Sequence, residues 1–168
     1  MPPHALSAIP SGTAVFIDAN VFCYALTNRS MECQTILRRC IAEDLLGVTS
    51  LHVINEATHR LMLAEAEHAG IITRAHASLM KKKLDSIMRL RDYWGQTEHI
   101  LSMNLLFLTQ EVDSLRVAQS VRAAHGLLTN DSLIVAGMRK YGLSALASAD
   151  KDFDRVSGLC RYAPSDIA

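Results

Sequence analysis

A short, unbroken apolar run, Ala14-Val15-Phe16-Ile17, ends directly in the acidic residue Asp18. The run contains β-branched and aromatic residues and no alternating polar ones, which is typical of a strand buried on both faces in a parallel sheet. A strand of this kind must have helices packed over both faces. The run therefore predicts an α/β fold.

The rest of the chain follows the same alternation. Further strands are predicted at 47–50, 105–108, 143–148 and 159–162, and helices at 20–28, 31–44, 51–66, about 73–92, about 93–103, about 110–125 and 131–141. This order predicts a three-layer α/β fold, with a mostly parallel central sheet of about four to five strands flanked by helices. Three of the four prolines fall in the first ten residues, so we expect a loose lead-in over residues 1–12 and a single domain over 13–168.

Composition excludes several classes of protein. With 168 residues, 49% of them hydrophobic, the chain fits one packed domain and is too apolar to be disordered. No apolar run approaches the roughly 18 to 20 residues of a membrane span. The start lacks a basic segment followed by an apolar one, and the four cysteines form no C-x-x-C pair, so we expect a cytoplasmic protein with reduced thiols. The 17 basic and 17 acidic residues argue against bulk electrostatic coating of nucleic acid.

Four acidic residues occupy positions where a carboxylate needs an explanation. Asp18 and Asp150 each follow a predicted strand, Glu56 lies beside the apolar stripe of helix 51–66, and Asp131 stands at a helix start. Each has an ordinary structural alternative: an Asx-turn for Asp18, an edge-of-core glutamate for Glu56, helix capping for Asp131, and a solvated acidic loop for Asp150.

Taken together, these acids point to a metal site. Ligands bind at the carboxyl ends of parallel strands, where the four acids are expected to converge. Carboxylates in close proximity repel one another unless a cation lies among them. All-oxygen ligation suits Mg²⁺ or Mn²⁺ rather than Zn²⁺ or copper. Such a site is typical of nucleases and other phosphoryl-transfer enzymes.

Four stretches in this order carry a family resemblance: Val15-Phe16-Ile17-Asp18-Ala19-Asn20-Val21-Phe22, Asn55-Glu56, Leu128-Thr129-Asn130-Asp131-Ser132-Leu133-Ile134 and Ser148-Ala149-Asp150-Lys151-Asp152-Phe153-Asp154. Over about residues 13–164 the chain resembles the PIN-domain ribonucleases, particularly the VapC-like toxins of toxin–antitoxin pairs. Each motif is weak alone, and the four in order are specific.

The resemblance implies a PIN-like fold and a Mg²⁺- or Mn²⁺-dependent endoribonuclease. Asp18, Glu56, Asp131 and Asp150 would be the catalytic and metal-binding residues. The supporting residues would be Asn20, Ser148, Asp152 and Asp154, with Ser148 in a position where the family often has Thr. Asp150 ranks ahead of Asp152 and Asp154 as the fourth acid. The resemblance also implies an RNA substrate, a homodimer and a cognate antitoxin protein.

Other functions stay open at this point. A PIN-like module that binds RNA or protein without cleaving it would contain the same residues. A haloacid-dehalogenase-type phosphatase needs a second Asp two positions after the first, where this chain has Asn20. Two Glu-x-x-His pairs, Glu56/His59 and Glu65/His68, are nine positions apart and face opposite sides of one helix, so they cannot share a metal. Lys81-Lys82-Lys83 is either a nucleic-acid contact or a solvated helix face.

Overall fold

The apolar run at 14–17 forms a central, buried strand of a six-stranded sheet in the computed structural model, which describes residues 4–167. The strands are β1 (His4–Ala5), β2 (Ala14–Ile17), β3 (Leu46–Ser50), β4 (Leu105–Leu108), β5 (Ala145–Ala147) and β6 (Cys160–Ala163). Their order is β1-β6-β5-β2-β3-β4, and every pairing among them is parallel. The predicted α/β class is confirmed, with one strand more than expected.

The additional strand lies in the segment expected to be a loose lead-in. His4 and Ala5 pair with Tyr162 and Ala163 of β6, and the side chains of Leu6 and Ile9 are buried in the main core. Residues 1–3 of the expected lead-in, and residue 168 of the expected domain, lie outside the described residues.

Eight helices connect the strands of the described chain. They are α1 (Ala19–Leu26), α2 (Met31–Ile41), α3 (Leu51–His68), α4 (Ala77–Met80), α5 (Leu84–Ile87), α6 (Asp92–Leu101), α7 (Val112–His125) and α8 (Thr129–Lys140). Helix α1 packs on α2 and on α3, and α3 packs on α6, whereas α7 packs on α8. Right-handed crossovers place these two groups on opposite faces of the sheet, because the chain moves outward from β2 to β4 and then returns to β5.

The connections reverse direction between β2 and β5. The chain leaves β2 toward β3 on one side and reaches β5 on the other side only after α8. In open α/β sheets, the crevice beyond the carboxyl ends of two such strands is where ligands bind. Asp18 directly follows β2, and Ser148 directly follows β5, so both lie at this crevice.

The helix predicted over about 73–92 is wrong as one element. The structure has two single-turn helices, α4 and α5, separated by the exposed run Lys81-Lys82-Lys83. A helix in water needs an apolar face to bury. Within residues 73–92, only Met80 and Leu90 are buried. Apolar spacing alone therefore overestimated the helix.

Close packing also limits β3. A Cβ atom on Gly47 would lie 2.6 Å from Cδ2 of Leu105 and 2.9 Å from Sγ of Cys40, so only glycine fits between β4 and α2.

Cys33 and Cys40 are buried, and all four cysteines are free thiols, as expected. Between residues 4 and 167, no helix is long and apolar enough to cross a membrane.

Candidate active site at the carboxyl edge of the sheet

Asp18 begins α1 and is almost completely buried. Its Oδ1 accepts a hydrogen bond of 2.7 Å from the backbone N–H of Ala19, so the side chain caps the helix that follows β2. Only 6% of the residue is exposed. Capping uses one carboxylate oxygen and leaves the second to be satisfied by other groups.

The second oxygen of Asp18 joins β2 to β5. Oδ2 accepts hydrogen bonds from Nδ2 of Asn20 at 2.5 Å and from Oγ of Ser148 at 2.6 Å. The hydroxyl of Ser148 also accepts from Nδ2 of Asn20 and from the backbone N–H of Asp150, at 3.1 and 3.0 Å. Oδ1 of Asn20 accepts from the backbone N–H of Ala149 at 3.0 Å. The carboxylate of Asp18 is therefore held in one orientation.

Burial controls the protonation of Asp18. Loss of hydration raises its pKa from 3.8 to about 6, and the nearby charge of Glu56 adds to this increase. The hydrogen bonds from Ser148 and Ala19, and the charge of Arg60, act in the opposite direction and only partly offset burial. A cation beside Asp18 would favour its charged form.

Glu56 lies in the second turn of α3 and is half-buried. Its Oε1 forms an ion pair of 2.6 Å with the guanidinium of Arg60, one turn further along the helix. Its Oε2 accepts a hydrogen bond of 3.2 Å from Nδ2 of Asn130 in the first turn of α8. Glu56 thus connects α3 to α8 across the carboxyl edge of the sheet.

Asp131 is in the first turn of α8, as predicted, and is also half-buried. Burial raises its pKa, and the charges of Asp150, Glu56 and Asp152 raise it further, in decreasing order. Arg60 lowers it. Because their charges raise its pKa, Asp150, Glu56 and Asp152 must lie close enough to Asp131 to repel its carboxylate.

The three acids after β5 have different partners. Oδ1 of Asp150 accepts a hydrogen bond from the backbone N–H of Asp152 and caps a short 3₁₀ turn, Lys151–Arg155. The carboxylate of Asp152 pairs with Arg155.

Asp154 is committed to a structural ion pair. Both of its oxygens accept hydrogen bonds from Arg161, at 2.7 and 2.8 Å, and this lowers its pKa. Arg161 is buried, and its Nη1 also donates to the carbonyl of Ser148 at 3.1 Å. Asp154 therefore braces the loop after β5 and has no oxygen left without a partner.

The acidic side chains at this edge have the donor atoms that a divalent cation prefers, but they are not arranged as a metal site. Within residues 4–167, no three acidic, histidine or cysteine side chains are grouped closely enough to hold a metal as they stand. Glu56 is paired with Arg60 instead. The donors at this edge are carboxylate oxygens under mutual repulsion, and that chemistry fits a divalent cation such as Mg²⁺ or Mn²⁺. A cation would have to draw Glu56 away from Arg60.

Sequence reasoning missed two residues near this edge. Arg60 acts on the charge of Asp18, Glu56 and Asp131, and its position four residues after Glu56 on a helix is the signal that would have identified it. Cys23 lies close enough for Asp18, Glu56 and Arg60 to affect its ionisation, but burial raises its pKa to about 12. The thiol is therefore protonated and a poor metal ligand.

The remaining candidate groups lie elsewhere. Glu65, from the second Glu-x-x-His pair, accepts 2.8 Å hydrogen bonds from the backbone N–H groups of Arg91 and Tyr93 at the start of α6. His59 and His68 are exposed. The run at 81–83 is exposed between α4 and α5, as a solvated face or a nucleic-acid contact would be.

The chain is similar in sequence to known proteins. Two similar relatives are ribonucleases VapC2 and VapC6 from Methanocaldococcus jannaschii, 23% and 25% identical over 146 and 147 residues. These alignments cover 86% and 87% of this chain and 90% and 94% of the relatives.

Solved structures share the fold. VapBC2 from Rickettsia felis, bound to a DNA fragment from its promoter, matches 90% of this chain and 99% of that chain, with a TM-score of 0.61 and 13% identity. A toxin–antitoxin complex from Klebsiella pneumoniae gives 0.56 and 18%, over 87% and 95%. VapC20 from Mycobacterium tuberculosis, a sarcin-ricin loop cleaving toxin, gives 0.55 and 17%, over 84% and 93%.

The family model of the PIN domain matches residues 15–159, a range that begins inside β2 and includes Asp18, Glu56, Asp131 and Asp150. The chain belongs to the PIN domain family.

Proposed function

We propose that this protein is a divalent-metal-dependent endoribonuclease and the toxin of a VapBC-like toxin–antitoxin pair. Membership of the PIN domain family supports the proposal, as do the names of its relatives, which are VapC ribonucleases. The proposed substrate is single-stranded or looped RNA, and the proposed metal is Mg²⁺ or Mn²⁺.

The observation that carries the proposal is the state of Asp18. It is buried, fixed by Asn20 and Ser148, and raised in pKa by burial and by Glu56. Burying a carboxylate next to others costs free energy that folding alone does not require. A divalent cation would remove that cost, and this arrangement is what a metal-dependent nuclease needs.

Asp18, Glu56, Asp131 and Asp150 would hold the metal. When bound, a divalent ion activates water and neutralises charge on the phosphate that is cleaved. Among the acids after β5, the ion pair of Asp154 with Arg161 and that of Asp152 with Arg155 favour Asp150 as the fourth ligand.

The hydrogen bonds around Asp18 define the supporting roles. Asn20 and Ser148 fix the orientation of the carboxylate before any metal arrives, which reduces the reorganisation needed on binding. Arg60 neutralises part of the acidic charge in the absence of a metal and has to release Glu56 when the metal binds.

The proposal extends to partners and location. Two of the structural neighbours are toxin–antitoxin complexes, which supports a cognate antitoxin that would cover the acidic edge. A homodimer and a cytoplasmic site of action belong to the same proposal.

Cleavage of structured RNA with Mg²⁺ or Mn²⁺, followed by addition of EDTA, tests the proposal. We expect EDTA to abolish cleavage, and Asp18→Asn, Glu56→Gln, Asp131→Asn and Asp150→Asn each to lower kcat/KM by about 100-fold or more, equivalent to several kcal/mol of metal stabilisation. Asp113→Asn is the matched control, because Asp113 is exposed on α7 and pairs with Arg116.

Two results would reject the nuclease. One is undiminished cleavage by the Asp18→Asn variant. The other is RNA binding that needs no metal and leads to no cleavage, which would instead support the non-cleaving PIN-like module.

A further inference from the structure

A cavity of about 610 Å³ opens at the carboxyl end of β4, beside the acidic edge. We call it the β4 cavity. It is bounded by Leu51, His52 and Asn55 of α3, by Phe107 of β4, and by Thr109 and Gln110, which follow that strand. Its volume lies within the range of about 300 to 1,000 Å³ that is typical of small-ligand sites. None of these residues belongs to the predicted acidic group.

The walls of the β4 cavity contain both aromatic and amide side chains. Phe107 is 40% exposed, and His52 provides a second aromatic ring. Asn55 and Gln110 are both exposed and provide amide donors and acceptors. Its lining contains no lysine, arginine or carboxylate, so a phosphate or a metal ion is not the matching ligand. Aromatic faces with nearby amides are what unpaired bases stack on and hydrogen-bond to.

One nitrogen on this wall has unmet hydrogen-bonding capacity. Nδ1 of His52 pairs with Oγ of Ser50 at 2.9 Å, whereas Nε2 is buried and has no hydrogen-bond partner among the described residues. Gln110 and the backbone of Asn130 lie near the ring without forming a well-aligned bond to Nε2. An unpaired buried polar atom is unusual in a folded protein and indicates a group that a ligand or a rearranged neighbour satisfies.

The β4 cavity lies about one helical turn from the acidic edge, which is close enough for one nucleotide to reach both. His52 precedes Glu56 by four residues on α3, so the two share one face of the helix, about 6 Å apart along its axis. Asn130 links them, since its side chain binds Glu56 and its backbone lies near His52. A nucleotide whose phosphate lay at a cation held by Glu56 could therefore place its base in the cavity.

We propose that the β4 cavity binds an unpaired nucleobase next to the phosphate that is cleaved, and so sets the base preference of the enzyme. This inference rests on the proposed function. Phe107 supplies the stacking face, and Gln110 and Asn55 read the edge of the base. A nonpolar peptide side chain would use the ring but would leave both amides without partners.

Photo-crosslinking tests where RNA lies, without requiring cleavage. A short single-stranded RNA carrying 4-thiouridine is irradiated with the full-length protein, once in EDTA and once with Mn²⁺, and the attached peptides are identified by mass spectrometry. We expect attachment within residues 51–55 and 107–110. Attachment confined to residues 81–83, or no attachment at all, would overturn the inference.

Variants then test base preference. Phe107→Ala should weaken RNA binding, measured by fluorescence anisotropy in EDTA, by about fivefold to 150-fold, the range for loss of one base–aromatic stack. Gln110→Ala should flatten the base preference at the cleavage site, measured by sequencing the products of a randomised RNA pool. Leu106→Ala is the matched control, since Leu106 is an exposed apolar neighbour on β4, at 53% against 40% for Phe107, and does not line the cavity. It should leave both measurements unchanged.

The outcomes separate the two proposals. Crosslinks at the β4 cavity with no metal-dependent cleavage would reject the nuclease and keep the base site. Cleavage by an enzyme whose crosslinks and base preference do not respond to Phe107→Ala or Gln110→Ala would keep the nuclease and reject the base site. A change of oligomeric state in Phe107→Ala, measured by light scattering, with RNA binding unchanged, would assign the cavity to a protein interface and also reject the base site.

Discussion

Replacing Asp18 by asparagine should remove one contribution to the pH dependence of the free energy of unfolding. Burial raises the pKa of Asp18 from 3.8 to about 6, so the folded protein binds a proton more tightly than the unfolded chain does. Between about pH 4 and pH 6 the folded state therefore holds more protons, and the free energy of unfolding falls as the pH rises through this window. Above about pH 6 the loss is complete.

The magnitude follows from the pKa difference. One pKa unit corresponds to about 1.4 kcal/mol, so ionised Asp18 costs the metal-free protein about 3 kcal/mol at pH 7. Asparagine carries no charge and can still accept the hydrogen bond from Ala19. Its amide group would face Nδ2 of Asn20, donor against donor, which costs about 1 kcal/mol.

The net effect changes sign with pH. Asp18→Asn should be about 2 kcal/mol more stable than wild type at pH 7 in EDTA, and about 1 kcal/mol less stable below about pH 4. Urea unfolding followed by circular dichroism, at intervals between pH 4 and pH 7.5, measures both. Since all other titrating groups are common to the two proteins, the difference reports the titration of Asp18 together with its coupling to Glu56.

Two results would contradict this reasoning. If the unfolding free energies of wild type and Asp18→Asn ran parallel across the pH range, the folded-state pKa of Asp18 would not be raised. If Asp18→Asn were less stable at every pH, the hydrogen bonds of the carboxylate would outweigh the cost of burying its charge.

Three further substitutions test the packing and charges described above. Arg161→Ala should lower the free energy of unfolding by about 2 kcal/mol, measured by urea unfolding, because the buried guanidinium loses its hydrogen bonds to Asp154 and to the carbonyl of Ser148, whereas the exposed Asp154 is rehydrated. Gly47→Ala should cost about 1 to 3 kcal/mol through overpacking, whereas Gly137→Ala, whose added Cβ would lie 3.7 Å from its nearest neighbour, should stabilise α8 by up to about 1 kcal/mol; equal effects would contradict the packing. Arg60→Ala should tighten Mn²⁺ binding by up to about fivefold in calorimetric titrations, since the competing ion pair with Glu56 is half-exposed; weaker binding would show that Arg60 supports the metal site.

Strands were the most predictable elements, and the reason is local. The strands β2 and β5 have apolar runs whose side chains are buried on both faces, and the edge strand β4 has an equally apolar run although Leu106 and Phe107 are exposed. The strand β1 has only two residues, and its existence depends on pairing with β6, which no local pattern reveals. The prediction of a single helix over 73–92 was wrong for a similar reason. Spacing shows where apolar residues fall along a helix but not whether a second surface is present to bury them.

Some residues of the candidate site were also predictable from the sequence, and others could be identified only from the fold. Asp18 and Asp150 were recognisable because parallel strands bring their carboxyl ends to one edge, and the structure adds Ser148 as the link between them. The acids at 150, 152 and 154 look alike in sequence. Only the tertiary fold distinguishes them, because it places Arg161 of β6 beside Asp154.

The hydrogen bond between Asp18 and Ser148 spans 130 positions of the chain, and this has a consequence for biosynthesis. A growing chain on the ribosome carries Asp18, Glu56 and Asp131 well before β5 exists. Until β5 has emerged and paired with β2, Oδ2 of Asp18 lacks its hydrogen bond from Ser148, and Asp150 is missing from the edge. Incomplete chains therefore lack the complete acidic site, and an activity that depends on this site would arise only once β5 has paired with β2.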